Sequence, residues 1–84
     1  MDFEIIGTIS AVETFAEGNG VRIRHYLNAT YANGRKMYWR HCKGRTTVRY
    51  SNGEIWDAEV HWFECHGLGR RQETVKHRIR RLDK

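Results

Sequence analysis

The stretch Glu54-Ile55-Trp56-Asp57-Ala58-Glu59-Val60-His61-Trp62-Phe63-Glu64 alternates with a period of two. Trp56, Ala58, Val60 and Trp62 fall on one side. Ile55, Asp57, Glu59, His61 and Phe63 fall on the other. Strict alternation is the pattern of a strand with one buried face. The first set therefore predicts core, and the second a half-exposed surface. Just upstream, Ser51-Asn52-Gly53 carries Asn-Gly, a strong hairpin signal. It predicts a hairpin with the β-branched and aromatic run Thr46–Tyr50.

Working outward, residues 36–42 predict another short strand, with Lys43-Gly44 as a break before Thr46. Residues 3–12 read as a strand, with Phe3, Ile5, Ile9 and Ala11 on one face and Gly7 as a bulge candidate. Glu17-Gly18-Asn19-Gly20 is a loop, in which Asn19 could cap a helix. Residues 21–32 carry two patterns. Val21–Arg24 alternates like a strand, but Ile23, Tyr26, Leu27, Thr30 and Tyr31 sit at helical spacing. Asn33-Gly34 then suits a helix C-cap, and the helix is favoured. His66-Gly67-Leu68-Gly69 is a turn. In the last segment Val75, Ile79 and Leu82 fit a helix. Glu73, Val75, His77, Ile79 and Arg81 fit one strand face, with Lys76, Arg78 and Arg80 outward; a closing strand is favoured. The sum is an α+β fold: one helix packed on a mostly antiparallel β-meander of about four or five strands, able to curl into a small SH3-like barrel.

The 84 residues fit one small domain spanning 1–84. A domain of this size needs a compact core, and three Trp, four Tyr and three Phe supply large apolar area per residue. No run approaches the roughly 18 apolar residues of a membrane span. The N-terminus, with Asp2 and Glu4, lacks the pattern of a secretory signal. Two cysteines, Cys42 and Cys65, are too few for a secreted disulfide framework. The expectation is a cytoplasmic protein with free thiols and no membrane association.

The net charge of +5 is sorted into blocks. Residues 1–20 hold four acids and no Lys or Arg, and residues 21–49 hold eight Lys or Arg and no acid. Residues 50–69 hold four acids and no Lys or Arg, and residues 70–84 hold seven Lys or Arg against Glu73 and Asp83. Such blocks either neutralise one another across the fold or converge into a surface for a polyanion.

From Glu59 to Arg70 the chain resembles a group of short bacterial proteins. Their signature is Glu, Val or Leu, His, Trp, Tyr, Glu, Ala, His, Gly, Ile or Val, Gly. The upstream residues Tyr26, Leu27, Asn28, Thr30, Tyr31, Trp39, Arg40, Lys43, Gly44, Thr47, Val48 and Arg49 fit the same pattern. The resemblance spans roughly residues 21–82. This chain departs from it at Phe63, where the group has Tyr, and at Cys65, where it has Ala. The group has no assigned activity, so the resemblance implies none.

Several constellations could carry chemistry. His61, Glu64, Cys65 and His66 are metal-ligand types. On an extended strand, however, His61 and Cys65 point opposite to Glu64 and His66. No metal and no cofactor is expected. The same His61, Glu64 and His66, with Arg70 and Lys76, are the types that a small RNase uses: a base, an acid and cations around a phosphate. His77, between Val75 and Ile79, reads as a hydrogen-bonded sheet-edge residue. The turn Gly67–Arg71 could form an anion-binding nest beside two guanidiniums.

The broadest signal is cations interleaved with aromatics. It comprises Arg35, Lys36, Tyr38, Trp39, Arg40, His41, Lys43 and Arg45, then Arg70, Arg71, Lys76, Arg78, Arg80 and Arg81. Cations neutralise phosphates and aromatics stack on bases. No RNP or helix-turn-helix pattern accompanies them. The leading expectation is a nucleic-acid-binding domain that uses Arg40, Lys43, Arg45, Arg70, Arg71, Lys76, Arg78 and Arg80. The alternatives are a regulatory domain that meets an acidic protein partner, and a small nuclease acting through His61, Glu64 and His66. The oligomeric state is open, since an edge strand on an open sheet can pair with a copy of itself.

Overall fold

The computed structural model describes residues 2–84. The fold is α+β: one helix and five strands whose antiparallel pairings build a curled half-barrel. The strands are β1 (Phe3–Ile5), β2 (Ser10–Glu17), β3 (Arg40–Tyr50), β4 (Ile55–Cys65) and β5 (Gly69–Arg81). The helix α1 covers Arg24–Tyr31 and follows a short 3-10 turn at Gly18–Gly20. The two central strands have eleven residues each, roughly 36 Å at strand rise. They set the long axis of a molecule measuring 45 × 23 × 20 Å.

β3 pairs with β4 over ten consecutive residues, from Arg40 opposite Glu64 to Arg49 opposite Ile55. The Asn-Gly hairpin joins them. Gly53 takes a φ of 91°, and the Asn52 side-chain oxygen accepts from the Glu54 amide at 3.0 Å. β1 and β2 lie end to end along the other side of β3, and β5 lies beyond β4. The sheet does not close, because β5 pairs with β4 alone among the described residues.

The alternation of β4 holds. Ala58, Val60 and Trp62 are buried and Trp56 is half-buried, together with Cys42, Val48 and Tyr50 of β3. Phe3, Ile5, Ile9 and Val75 pack against this set from the two flanks. This is the inner face. A second cluster sits on the outer face at one end, where Val21 and Leu27 cover Trp39 and Cys65. Both thiols are buried and free, and burial pushes each up from its ordinary pKa.

Four expectations need correction. The strand expected over residues 3–12 is two strands, interrupted around Gly7. There the Ile6 amide donates to the Thr47 carbonyl, and the Thr46 hydroxyl donates to the Gly7 carbonyl. The strand expected over residues 36–42 starts only at Arg40. Residues 37–39 are drawn to the helix instead, because Asn28 Oδ1 accepts from both the Met37 amide (3.1 Å) and Trp39 Nε1 (2.8 Å). Asn19 does not cap α1 with its side chain; among the described residues the helix start has no side-chain cap. The C-cap does hold. Asn33 and Gly34 take φ of 53° and 79°, and the Gly34 amide donates to the Asn28 carbonyl.

The fourth correction concerns Lys43-Gly44. Nothing breaks there, and β3 runs straight through. Gly44 is required by close approach. A Cβ at that position would lie 2.5 Å from Ile9 Cγ2 and 3.2 Å from both the Ser10 carbonyl and the Trp62 ring. Gly44→Ala should therefore destabilise the fold by about 1–3 kcal/mol through overpacking. In an Ile9→Ala background the same change should cost less. Urea denaturation of the four proteins checks this; strict additivity would show that the Ile9 contact is not the cause.

Candidate nucleic-acid interface

The parity of β4 decides where the proposed acid–base residues go. His61 lies opposite Lys43 on the outer face, and its Nε2 is 2.8 Å from Glu59 Oε2. Glu64 lies opposite Arg40 on the other face. It accepts from Trp62 Nε1 at 2.7 Å and from Arg40 Nη2 at 3.1 Å. The hydrogen bond from Trp62, then that from Arg40, holds the Glu64 carboxyl below its ordinary pKa. His66 is exposed in the turn beyond the strand end. The structure therefore does not gather His61, Glu64 and His66 around one point. Among the described residues, no group of three or more His, Cys, Asp or Glu is placed to hold a metal ion.

What His61 does join is an aromatic stack absent from the expected sites. His41 lies on Phe63, with ring centroids 4.0 Å apart and planes at 21°. Phe15 covers the other flank at 4.2 Å, and His61 meets His41 edge-on at 5.8 Å. Burial between the rings, then the nearby His61 and Lys76, lowers the His41 pKa from its ordinary value. The only sequence signal for this stack was the shared parity of Phe63 and His61. Phe15 enters through a β2 irregularity that periodicity does not reveal.

The eight expected phosphate-binding cations divide into two groups. Arg40 pairs with Glu64, Lys43 with Glu13 at 3.7 Å, Arg45 with Asp57, and Arg70 with Glu73 at 2.7 Å. The Arg45–Asp57 contact is bidentate and holds the Asp57 carboxyl below its ordinary pKa. Arg49 and Arg81 are likewise paired, with Glu4 and Asp83. The four pairs of Arg40, Lys43, Arg45 and Arg49 link the basic block of β3 to the acidic blocks on both sides of it, which is the internal neutralisation that the charge sorting allowed.

The second group is Arg71, Lys76, Arg78 and Arg80. Among the described residues no carboxylate lies within 4.0 Å of any of them. All four belong to β5, the open edge. The expected alternation along β5 fails, because register shifts fall between Asp57 and Ala58, between Glu59 and Val60, and between His61 and Phe63. As a result Arg78 pairs with Ala58 on the inner side and Arg80 with Asp57 on the outer side. The Arg78 guanidinium lies 5.2 Å from the Tyr50 ring centroid and 5.3 Å from that of Trp56. Arg71 lies 5.5 Å from the Tyr31 ring. Cation–π placement orients these groups without cancelling their charge.

The expected nest at Gly67–Arg71 is a turn with Gly67 at φ 85° and Gly69 at φ 67°. Of its two arginines, Arg70 is paired with Glu73, whereas Arg71 meets only neutral groups, the Arg70 carbonyl and the Tyr31 ring, among the described residues. His77 stands on the outer face with Nε2 4.0 Å from Glu59. No helix among the described residues is long and apolar enough to cross a membrane. Comparison with protein-family models, curated proteins and solved structures finds no match to the chain.

The stacked His41 makes a pH prediction. Its pKa is lowered in the fold, so the unfolded chain takes up this proton first as pH falls through about 6.5. The His41 contribution to stability is full above that pH. It is lost on acidification until the folded-state pKa is passed. His41→Gln should flatten the fall in Tm between about pH 7.5 and 5.5 relative to the parent protein. Equal slopes for the two would remove His41 as the cause.

Proposed function

We propose that this domain binds nucleic acid through the β5 edge, by phosphate contacts made without sequence reading. The observation that carries this is the contrast between two groups of cations. The β3 cations are matched by carboxylates, whereas Arg71, Lys76, Arg78 and Arg80 along one open strand are not. Unmatched cations along one edge strand, projecting on both of its sides, release counterions when they meet a phosphate backbone, which is the electrostatic basis of non-specific binding. A second reading, a protein partner, is favoured by one observation. Phe15 and Ile23 are exposed and line a groove of about 320 Å³ with Arg22, His41 and Phe63.

The test is a titration of labelled single-stranded RNA, single-stranded DNA and duplex DNA at several salt concentrations, read for binding and for cleavage. Affinity should fall steeply with salt. Each Gln substitution at Arg71, Lys76, Arg78 or Arg80 should reduce the salt slope by up to about one unit. The charge-neutral double variant Arg49→Gln/Glu4→Gln, on the far side of the sheet from β5, should bind as the parent does. No binding at low salt, or a β5 variant indistinguishable from the parent, overturns the proposal and leaves the partner-protein reading. Cleavage in the same tubes would overturn the non-catalytic part.

A further inference from the structure

A different part of the molecule holds the remaining concentration of unpaired charge. Arg24 and Lys36 face a groove of about 530 Å³ between the Gly18–Gly20 turn, the first half of α1 and residues 34–38. Its volume lies within the usual range for small-ligand sites. No carboxylate lines it, and among the described residues neither cation has one within 4.0 Å. Two backbone carbonyls, those of Asn19 and Val21, each accept from Arg24 Nη1 at 3.2 Å. They hold the guanidinium in place and, among the described residues, leave Nε and Nη2 without a protein acceptor. Tyr38 is 60% exposed and forms one wall. Its ring rests against Gly18, where a Cβ would come within 2.9 Å of Cε1.

The base of this groove contains Asn28, which is only 8% exposed. Its Oδ1 is fixed by two donors, the Met37 amide and Trp39 Nε1. That assignment leaves no freedom to exchange oxygen and nitrogen, since only the oxygen can accept. Nδ2 therefore carries two N–H donors at a determined position, and it donates to no protein atom among the described residues. A solvent-reaching donor pair on a nearly buried residue, beside an exposed aromatic ring, one held cation and one exposed cation, is a set with three separate demands. It calls for a flat ring, an acceptor atom on or beside that ring, and an anion within a few ångströms.

We infer that the groove binds one nucleoside phosphate, with its base on Tyr38, an acceptor of the base or ribose on Asn28 Nδ2, and its phosphate between Arg24 and Lys36. The site goes beyond the β5 surface and uses none of its residues. The nucleotide is either a free monophosphate or one unit of a single strand; the chemistry recognised is the same.

The test is a ¹H–¹⁵N NMR titration of the whole chain with adenosine and uridine 5′-monophosphates, with a short single strand, and with inorganic phosphate. The side-chain NH₂ resonances of Asn28 report the groove directly. Nucleotide should shift them, and phosphate alone should shift them much less. Tyr38→Ala should weaken binding by about 5- to 150-fold, the range expected for loss of one stacked base. Tyr38 and Lys36 are both exposed, so Tyr38→Ala and Lys36→Gln leave the core intact. The shifts should persist in the protein with all four β5 cations replaced, which separates this site from the proposed function. A shift with the monophosphates identifies a free-nucleotide site, and a shift with the strand alone identifies a strand contact. No Asn28 shift with either, or an equal shift with inorganic phosphate, overturns the inference.

Discussion

The ten-pair register between β3 and β4 is the constraint on which the rest of the molecule depends. Side chains in a strand have a period of two, so a slip of one residue would exchange every inner group for an outer one. The register places Trp62, Val60 and Ala58 over Cys42, Gly44 and Thr46. It also puts Lys43 and Arg45 on the same face as Asp57, Glu59 and His61. The core and two of the ion pairs, Arg40 with Glu64 and Arg45 with Asp57, are therefore set by one pairing. The Asn-Gly hairpin fixes that pairing locally, and the absence of a side chain at Gly44 lets β2 and Ile9 close over it.

A second, smaller constraint holds the helix. Eight residues are too few for a helix to be stable on its own in water. α1 is fixed by tertiary contacts at Leu27 and by Asn28, which serves its neighbours twice. The Asn28 carbonyl accepts from the Ala32 and Gly34 amides and ends the helix. Its side chain accepts from Met37 and Trp39 and brings the following segment back to the sheet. Trp39 is consequently core, fully buried with its N–H satisfied, while its neighbour Tyr38 turns outward. One buried amide thus decides which of two adjacent aromatics faces solvent.

The legible parts of the sequence are those governed by local rules. The alternation of residues 54–64, the Asn52-Gly53 turn and the Asn33-Gly34 cap each rest on a few neighbouring residues. The class of fold follows from them. What was not legible depends on distant partners. Gly44 reads as a punctuation mark in the chain and is a packing requirement set by Ile9, thirty-five positions away. The alternation of residues 70–81 misplaces Arg78, because bulges shift the register three times and a bulge leaves no periodic trace. The candidate cations were all visible as residues. Which of them were already matched by acids depended on cross-strand geometry, so the sequence marked eight positions where the fold leaves four unmatched. Asn28 and Arg24 carried no motif; their importance comes from what folds against them.

The bulges in β5 have another consequence. A long, flat, unpaired edge is a template on which further strands can add, and repeated addition is the route to cross-β growth. β5 is thirteen residues long and has no proline to interrupt it. Its three register shifts bend the line of free backbone groups out of the plane that an incoming strand needs. Like charges at Lys76, Arg78 and Arg80 repel a second copy approaching in the same way. The irregularity that hid the strand's facing pattern from the sequence is also its protection against becoming the seed of a fibril.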